Sequence, residues 1–163
     1  MCLFHMSRLY SLTTVQDLPV SVEEIWDFIS SPKNLKLITP PSMGFDITVD
    51  TPIDVMYPGL IIAYKVSPLL GIKMNWVTEI LNVKEHHYFV DEQRFGPYSL
   101  WHHKHFIEPI EGGVRMTDIV HYKLPLGFLG DIAHALFVKK QLSTIFDFRF
   151  KKMIELFGEM KKA

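Results

Sequence analysis

The sequence predicts an α+β chain in which a curved antiparallel sheet of about seven strands wraps around one long C-terminal helix. Three observations carry that expectation. From Gly44 to Leu124 apolar and polar residues alternate with a two-fold period, broken only at Pro and Gly positions. Asp131 to Phe157 then runs without Pro or Gly and repeats its apolar residues at three- and four-residue spacing. Ahead of the meander, Ser and Pro start signals mark two short helices.

Arg8 to Leu18 reads as the first strand and ends before Pro19. Ser21 has the character of an N-cap, with Glu24 completing a capping box, and Val22, Ile25, Trp26 and Ile29 give the following helix an apolar face. A second short helix is expected from Ser31, with Pro32 at its first position and Leu35 and Ile38 on its buried side. Phe45 to Val49, Leu60 to Ser67, Ile72 to Val83, His86 to Arg94, Ser99 to Pro109 and Val114 to Leu124 read as strands. Within Ile72 to Val83, Ile72, Met74, Trp76 and Ile80 alternate with Lys73, Asn75 and Glu79, as a half-wet antiparallel sheet requires. The last helix, about 27 residues or roughly 40 Å long, needs cover for a stripe of Ala135, Val138, Leu142, Ile145, Phe146, Met153, Leu156 and Phe157. Only the sheet can supply it, which is the helix-grip arrangement, with room for a cavity where the bent sheet stands off from the helix.

The chain has 163 residues. That length fits one domain, read as residues 8–163 behind an N-terminal extension of residues 1–7. A 48% hydrophobic and 21% charged composition excludes a disordered chain or a coiled coil, and a net charge of -1 leaves no footprint for nucleic acid. Lys139, Lys140, Arg149, Lys151 and Lys152 are read as a solvated helix face. The single cysteine, Cys2, excludes an internal disulfide and fits a reducing compartment. Neither a signal peptide nor an apolar run long enough to span a membrane is present, so the expected location is the cytoplasm, with Met6 as an alternative start. Twelve Phe, six Tyr and three Trp supply bulk for a core or for cavity walls.

The order of elements resembles the START and birch-pollen-allergen (SRPBCC) superfamily from about Arg8 onward. Within it the chain is similar to a bacterial group related to polyketide cyclase/dehydrase-type proteins and to domains fused to epimerase-like "cell-division inhibitors". The segments that carry the likeness are Ser31-Pro32-Lys33-Asn34-Leu35, Ile38-Thr39-Pro40-Pro41, Phe89-Val90-Asp91-Glu92-Gln93, Gly96-Pro97-Tyr98, Trp101 to Phe106 and Leu124-Pro125-Leu126-Gly127. The resemblance implies a helix-grip fold with an internal cavity and transfers no catalytic set.

Trp101, His103 and His105 alternate along one strand and so share a face, away from His102 and Lys104. Asp91 and Gln93 join that face if Asp91 opposes Trp101 across the hairpin at Phe95 to Pro97, whereas a slip of one residue reverses the placement. With Trp76 and Tyr122 as further walls, the cavity would hold imidazole, carboxylate and amide groups among apolar ones, as a site for a largely hydrophobic ligand does. The competing reading puts these groups on the sheet exterior as a satisfied polar ladder. Asp118 lies on an apolar strand face, where a carboxylate is paired or functional, and Arg94 and Arg149 are its candidate partners. No metal or other cofactor is expected, because only His103 and His105 offer suitable donors and zinc requires three or four. Leu126-Gly127-Phe128-Leu129-Gly130 reads as a gate, a membrane-touching patch or plain packing.

The expected function is binding or transport of a hydrophobic or amphipathic small molecule, lipid-like or polyketide-like, by a non-enzymatic carrier or sensor. The expected partners are that small molecule and, transiently, a membrane surface, without insertion or nucleic acid. Two alternatives stand beside it: a cyclase- or dehydratase-type enzyme with His103 or His105 as general base tuned by Asp91, and an interaction module for an epimerase-like protein.

Overall fold

The computed structural model describes residues 8–48, 55–69 and 71–160. The expected extension over residues 1–7 lies outside that range. Seven strands form one antiparallel sheet: β1 (Tyr10–Leu18), β2 (Asp46–Ile47), β3 (Ile61–Leu69), β4 (Ile72–Lys84), β5 (Tyr88–Phe95), β6 (Leu100–Ile110) and β7 (Gly113–Lys123), in the order β1-β7-β6-β5-β4-β3-β2. The short turns between β3 and β7 make each strand pair with the next, and β1 closes onto β7 from the far side of the meander. Register shifts at Val77/Thr78 and Ile80/Asn82 bend β4 against β5, which gives the sheet its concave face.

Helix α1 (Val22–Ile29) starts as the sequence predicts: Ser21 Oγ accepts from the Glu24 N–H at 3.1 Å, and Ile25, Trp26 and Ile29 are buried. The expected second helix is a 3-10 turn, Pro32–Lys36, with Ile38 buried beyond it. After β7 the chain is helical without interruption from Phe128 to Phe157, as α2 (Phe128–Ala133), a π turn (His134–Val138) and α3 (Lys139–Phe157). Its start lies three residues before the predicted Asp131, with Gly130 inside the first turn. A Cβ there would lie 2.3 Å from the Pro125 carbonyl oxygen, so this glycine permits close packing instead of ending a helix.

The π turn changes which residues face the sheet. His134, Val138, Leu142 and Phe146 are buried at a steady four-residue spacing, which an α-helix alone would carry off-axis and one wider turn brings back. Ala135 and Leu156, expected in the buried stripe, are exposed, and so is Ile72 at the start of β4, expected on the packed face.

The packed interior divides into two apolar clusters. One gathers Leu18, Ile25, Trp26, Ile80, Phe89, Ile107, Met116 and Met153 beneath α1. The other gathers Trp76, Trp101, Val120, Tyr122, Val138, Leu142 and Phe146 beneath the middle of the long helix. Along β6 the inward residues run Trp101, His103, His105, Ile107, and along β7 they run Met116, Asp118, Val120. The seam between the clusters is therefore polar, and the candidate site lies there.

Candidate functional site

Two adjacent ladders assemble the site. Asp91 on β5 faces His103 on β6, and His105 faces Asp118 on β7, so four polar side chains form a row across the concave face. The hairpin register differs by two residues from the predicted one, with Asp91 opposite His103 rather than Trp101, and an even shift leaves every side chain on its predicted face. The exterior-ladder reading is overturned by burial: His103, His105 and Asp118 are all below a tenth exposed.

His103 donates through Nε2 to Asp118 Oδ1 at 3.0 Å, and His105 donates through Nε2 to Asp91 Oδ2 at 2.7 Å. The imidazole rings lie side by side with centroids 3.7 Å apart, and Phe89 stacks on the far side of His105 at 4.0 Å. Asp118 Oδ1 also lies 2.8 Å from His105 Nδ1, yet that nitrogen is buried without an aligned hydrogen bond. Arg149 from α3 closes the group, with Nη2 3.7 Å from Asp118 Oδ1 and its side chain 13% exposed. This corrects the solvated-face reading of Arg149 and selects it over Arg94, which pairs with Glu79 and Glu92 instead. The spacing Leu142, Phe146, Arg149, Met153 was the available sequence signal that Arg149 faces inward.

Burial alone would push the Asp118 carboxyl up; the Arg149 charge, the His103 hydrogen bond and the close approach of His105 outweigh it and hold it well below the usual range. Burial opposes ionisation of Asp91 too, and the His105 hydrogen bond and neighbouring positive charges reverse the outcome, leaving it lowered. His103 is pushed down by burial and then by the charge of His105. For His105, burial works downward but the two carboxylates prevail and raise it. The surroundings thus favour the ionised form of both carboxylates, and favour a proton on His105 over one on His103.

A cavity of about 180 Å³ opens on this cluster, lined by Asp91, His103, His105 and Arg149 on its polar side. Tyr64, Trp76, Trp101, Ile80, Leu142 and Phe146 make up much of the apolar wall, and residues between Phe28 and Phe45 cover it. It is smaller than the roughly 300 Å³ expected of a ligand pocket. Aromatic packing explains the difference. Trp76 stands 6.0 Å from Tyr64, 5.4 Å from Trp101 and 5.7 Å from Tyr98, centroid to centroid, filling one end of the space. Thr78, unnoticed in the sequence because it sits inside an apolar face, fixes this group: its Oγ1 accepts from Trp76 Nε1 at 3.0 Å and lies 2.9 Å from Tyr64 Oη.

Of the predicted site residues, Trp76, Asp91, Trp101, His103 and His105 line the cavity, and Gln93, Asp118 and Tyr122 do not. Gln93 clamps the β5–β6 turn by donating to the Tyr98 carbonyl at 2.6 Å and accepting from the Tyr98 N–H at 3.2 Å. Gly96 leaves room for this clamp, since a Cβ there would meet Gln93 Oε1 at 2.5 Å. Asp118 lies behind the histidine pair and borders a second, smaller space of about 80 Å³, shared with Arg149. Tyr122 turns toward the helix, with Oη 2.8 Å from His134 Nε2, and His134 stacks on Tyr10 at 3.5 Å. Leu126, Phe128 and Leu129 are exposed, and none is among the residues that line the cavity.

No family model and no curated protein matches the sequence. Solved structures do. Protein CV1439 from Chromobacterium violaceum aligns over 92% of this chain and 98% of its own, with a TM-score of 0.69 at 10% identity. The ginseng major latex-like protein 151 from Panax ginseng aligns over 91% and 97%, with a TM-score of 0.65 at 11% identity. Protein Ms6760 from Mycobacterium smegmatis aligns over 90% and 92%, with a TM-score of 0.62 at 19% identity. Among the described residues no helix is long and apolar enough to cross a membrane. What the chain shares with these three proteins is the fold, a helix-grip sheet closed on its C-terminal helix.

Proposed function

We propose that the protein binds a small, mainly apolar molecule carrying one polar or anionic end, with the apolar part among Trp76, Trp101, Leu142 and Phe146 and the polar end against His103, His105 and Arg149. The observation that supports this most is the one-sided charge: a largely apolar cavity whose carboxylate, imidazole and guanidinium groups, Asp91, His103, His105 and Arg149, belong to a single cluster. Such a cluster orients a ligand while burial supplies the free energy, at about 25 cal/mol per Å². Size narrows the class. Cavities of about 150 Å³ take a benzene-sized guest, so about 180 Å³ suits a single ring or short chain better than a full lipid acyl chain.

Native mass spectrometry of the protein purified from its own host tests this reading, together with Trp fluorescence during titration with small aromatic carboxylic acids. A retained low-mass adduct and saturable quenching of Trp76 and Trp101 are expected. An empty protein with unmoved fluorescence overturns the reading.

One observation favours catalysis as a second reading. His103 faces the cavity, has its Nε2 held by Asp118 and is disfavoured as a cation by burial, the arrangement of a histidine oriented as a general base. The orienting carboxylate is then Asp118 and not Asp91.

A further inference from the structure

We propose that Asp91, His103 and His105 hold a first-row divalent metal ion, with Asp118 as the carboxylate that orients both imidazoles and the cavity as its open coordination position. The inference rests on reading the cavity as the ligand site and adds what would hold the polar end of that ligand.

Geometry carries it. One donor atom from each of the three residues lies within 4.8 Å of the other two, and His103 and His105 are buried. Asp91 Oδ2 is 2.7 Å from His105 Nε2 and 3.9 Å from His103 Nδ1. Donors around a tetrahedral ion with bonds of 2.0 to 2.1 Å stand about 3.3 Å apart, so one separation opens and the other closes by about 0.6 Å each. Movements of that size need only small ring and carboxylate rotations.

The second observation is where the remaining nitrogens point. Ligating histidines almost always give their other ring nitrogen to a carboxylate or carbonyl, which fixes tautomer and ring orientation. Here His103 Nε2 lies 3.0 Å and His105 Nδ1 2.8 Å from the same oxygen, Asp118 Oδ1.

Two imidazoles and one carboxylate select zinc, iron(II), cobalt or manganese over calcium and magnesium, which prefer all-oxygen shells. Three protein ligands leave room on the cavity side, where a carboxylate or hydroxyl oxygen of the apolar guest would complete the shell. Arg149, 3.7 Å from Asp118, stabilises the orienting carboxylate without competing for the ion.

The test is titration of the chelator-treated protein with Co2+, read by visible d–d absorption, followed by displacement with Zn2+. Saturation at a single ion per chain is expected. Asp91→Asn keeps an acceptor for His105 but removes the ligand charge, and His103→Gln removes a donor; each should weaken Co2+ binding by at least about tenfold, with Asp118→Asn weakening it about 10- to 100-fold. His102→Gln, which changes a histidine facing His121 and Glu92 on the opposite face, should leave binding unchanged. Circular dichroism checks the fold of each variant, and either Asp91→Asn or His103→Gln alone decides the matter. Absence of saturable binding, equal binding by wild type and both inner variants, or loss only in His102→Gln overturns the proposal. Uptake of aromatic acids by protein that fails to bind Co2+ refutes the metal site and leaves the cavity reading standing; Co2+ binding without such uptake does the reverse.

Discussion

His102 and His103 are chain neighbours on one strand, and they live in different surroundings. His102 lies on the outer face, paired across the sheet with His121 and Glu92, and is only partly buried. His103 points the other way, 6% exposed, into a row of four titratable groups sealed between two apolar clusters. A strand that alternates sides places identical side chains in water and in a low-dielectric interior one residue apart. The difference teaches that a histidine's chemistry here depends on parity along β6 and on what the neighbouring strands carry at the same level. The inner groups form one interdependent unit, and the outer pairs act singly.

The sharpest way to break this comparison is to remove the residue on which the inner unit converges. Asp118→Ala leaves Arg149 and the histidine pair without their shared carboxylate in a buried setting. It should cost about 3 to 5 kcal/mol, because breaking one side of a buried charge group strands the rest. Asp118→Asn, which keeps an acceptor, should cost less. Urea unfolding monitored by Trp fluorescence reads both, and a loss below about 1 kcal/mol for the alanine variant would show that the inner row is no more interdependent than the outer one. Next in size is Leu142→Ala, where deleting a buried side chain of the long helix should cost about 2 to 5 kcal/mol, toward the lower end because one side of Leu142 already faces the cavity.

These two residues also mark how much could be read from the sequence. The helix carrying Leu142 and the strand faces carrying His103 and Asp118 follow from local periodicity, which depends only on residues close in the chain. Metal-capable geometry was not legible, because it joins Asp91 on β5 to a histidine pair on β6 and depends on a register that no local pattern specifies. The burial of Arg149 was obscured by its basic neighbours Lys151 and Lys152. Cavity size escaped for a similar reason: Trp76 on β4 meets Tyr98 and Trp101 from a separate stretch of chain, and nothing local shows that their rings meet.

A paired substitution sharpens the contrast without destroying the fold. His103→Phe keeps ring bulk at the cavity and deletes the bond to Asp118, so affinity for small aromatic acids should fall several-fold. His102→Ala should leave that affinity unchanged and alter stability by less than about 1 kcal/mol, the range of a single cross-strand contact. Isothermal titration and thermal unfolding measure the two effects. Equal affinity in both variants would mean that His103 does not touch the guest.

The smallest effect belongs to the outer face, at the directly opposed pair Asp17 and Arg115 joining β1 to β7. Arg115 donates through Nε and Nη2 to the two carboxylate oxygens at 2.8 Å each, a two-pronged geometry as good as any in the interior. Solvent nevertheless reaches both side chains, so the pair gains little over hydration, and Arg115→Ala should destabilise the protein less than any inner substitution above. Hydrogen bonding from Arg115 holds the Asp17 carboxyl below its usual range. Its contribution is therefore complete above the unfolded-state pKa and disappears as pH falls through the lower folded-state value. Unfolding curves of wild type and Arg115→Ala should converge on acidification below about pH 4, and also at neutral pH in 1 M salt, where the screening length shrinks to about 3 Å. A difference that survives both treatments would place this pair with the sealed inner row, and the division between the two faces of the sheet would not hold.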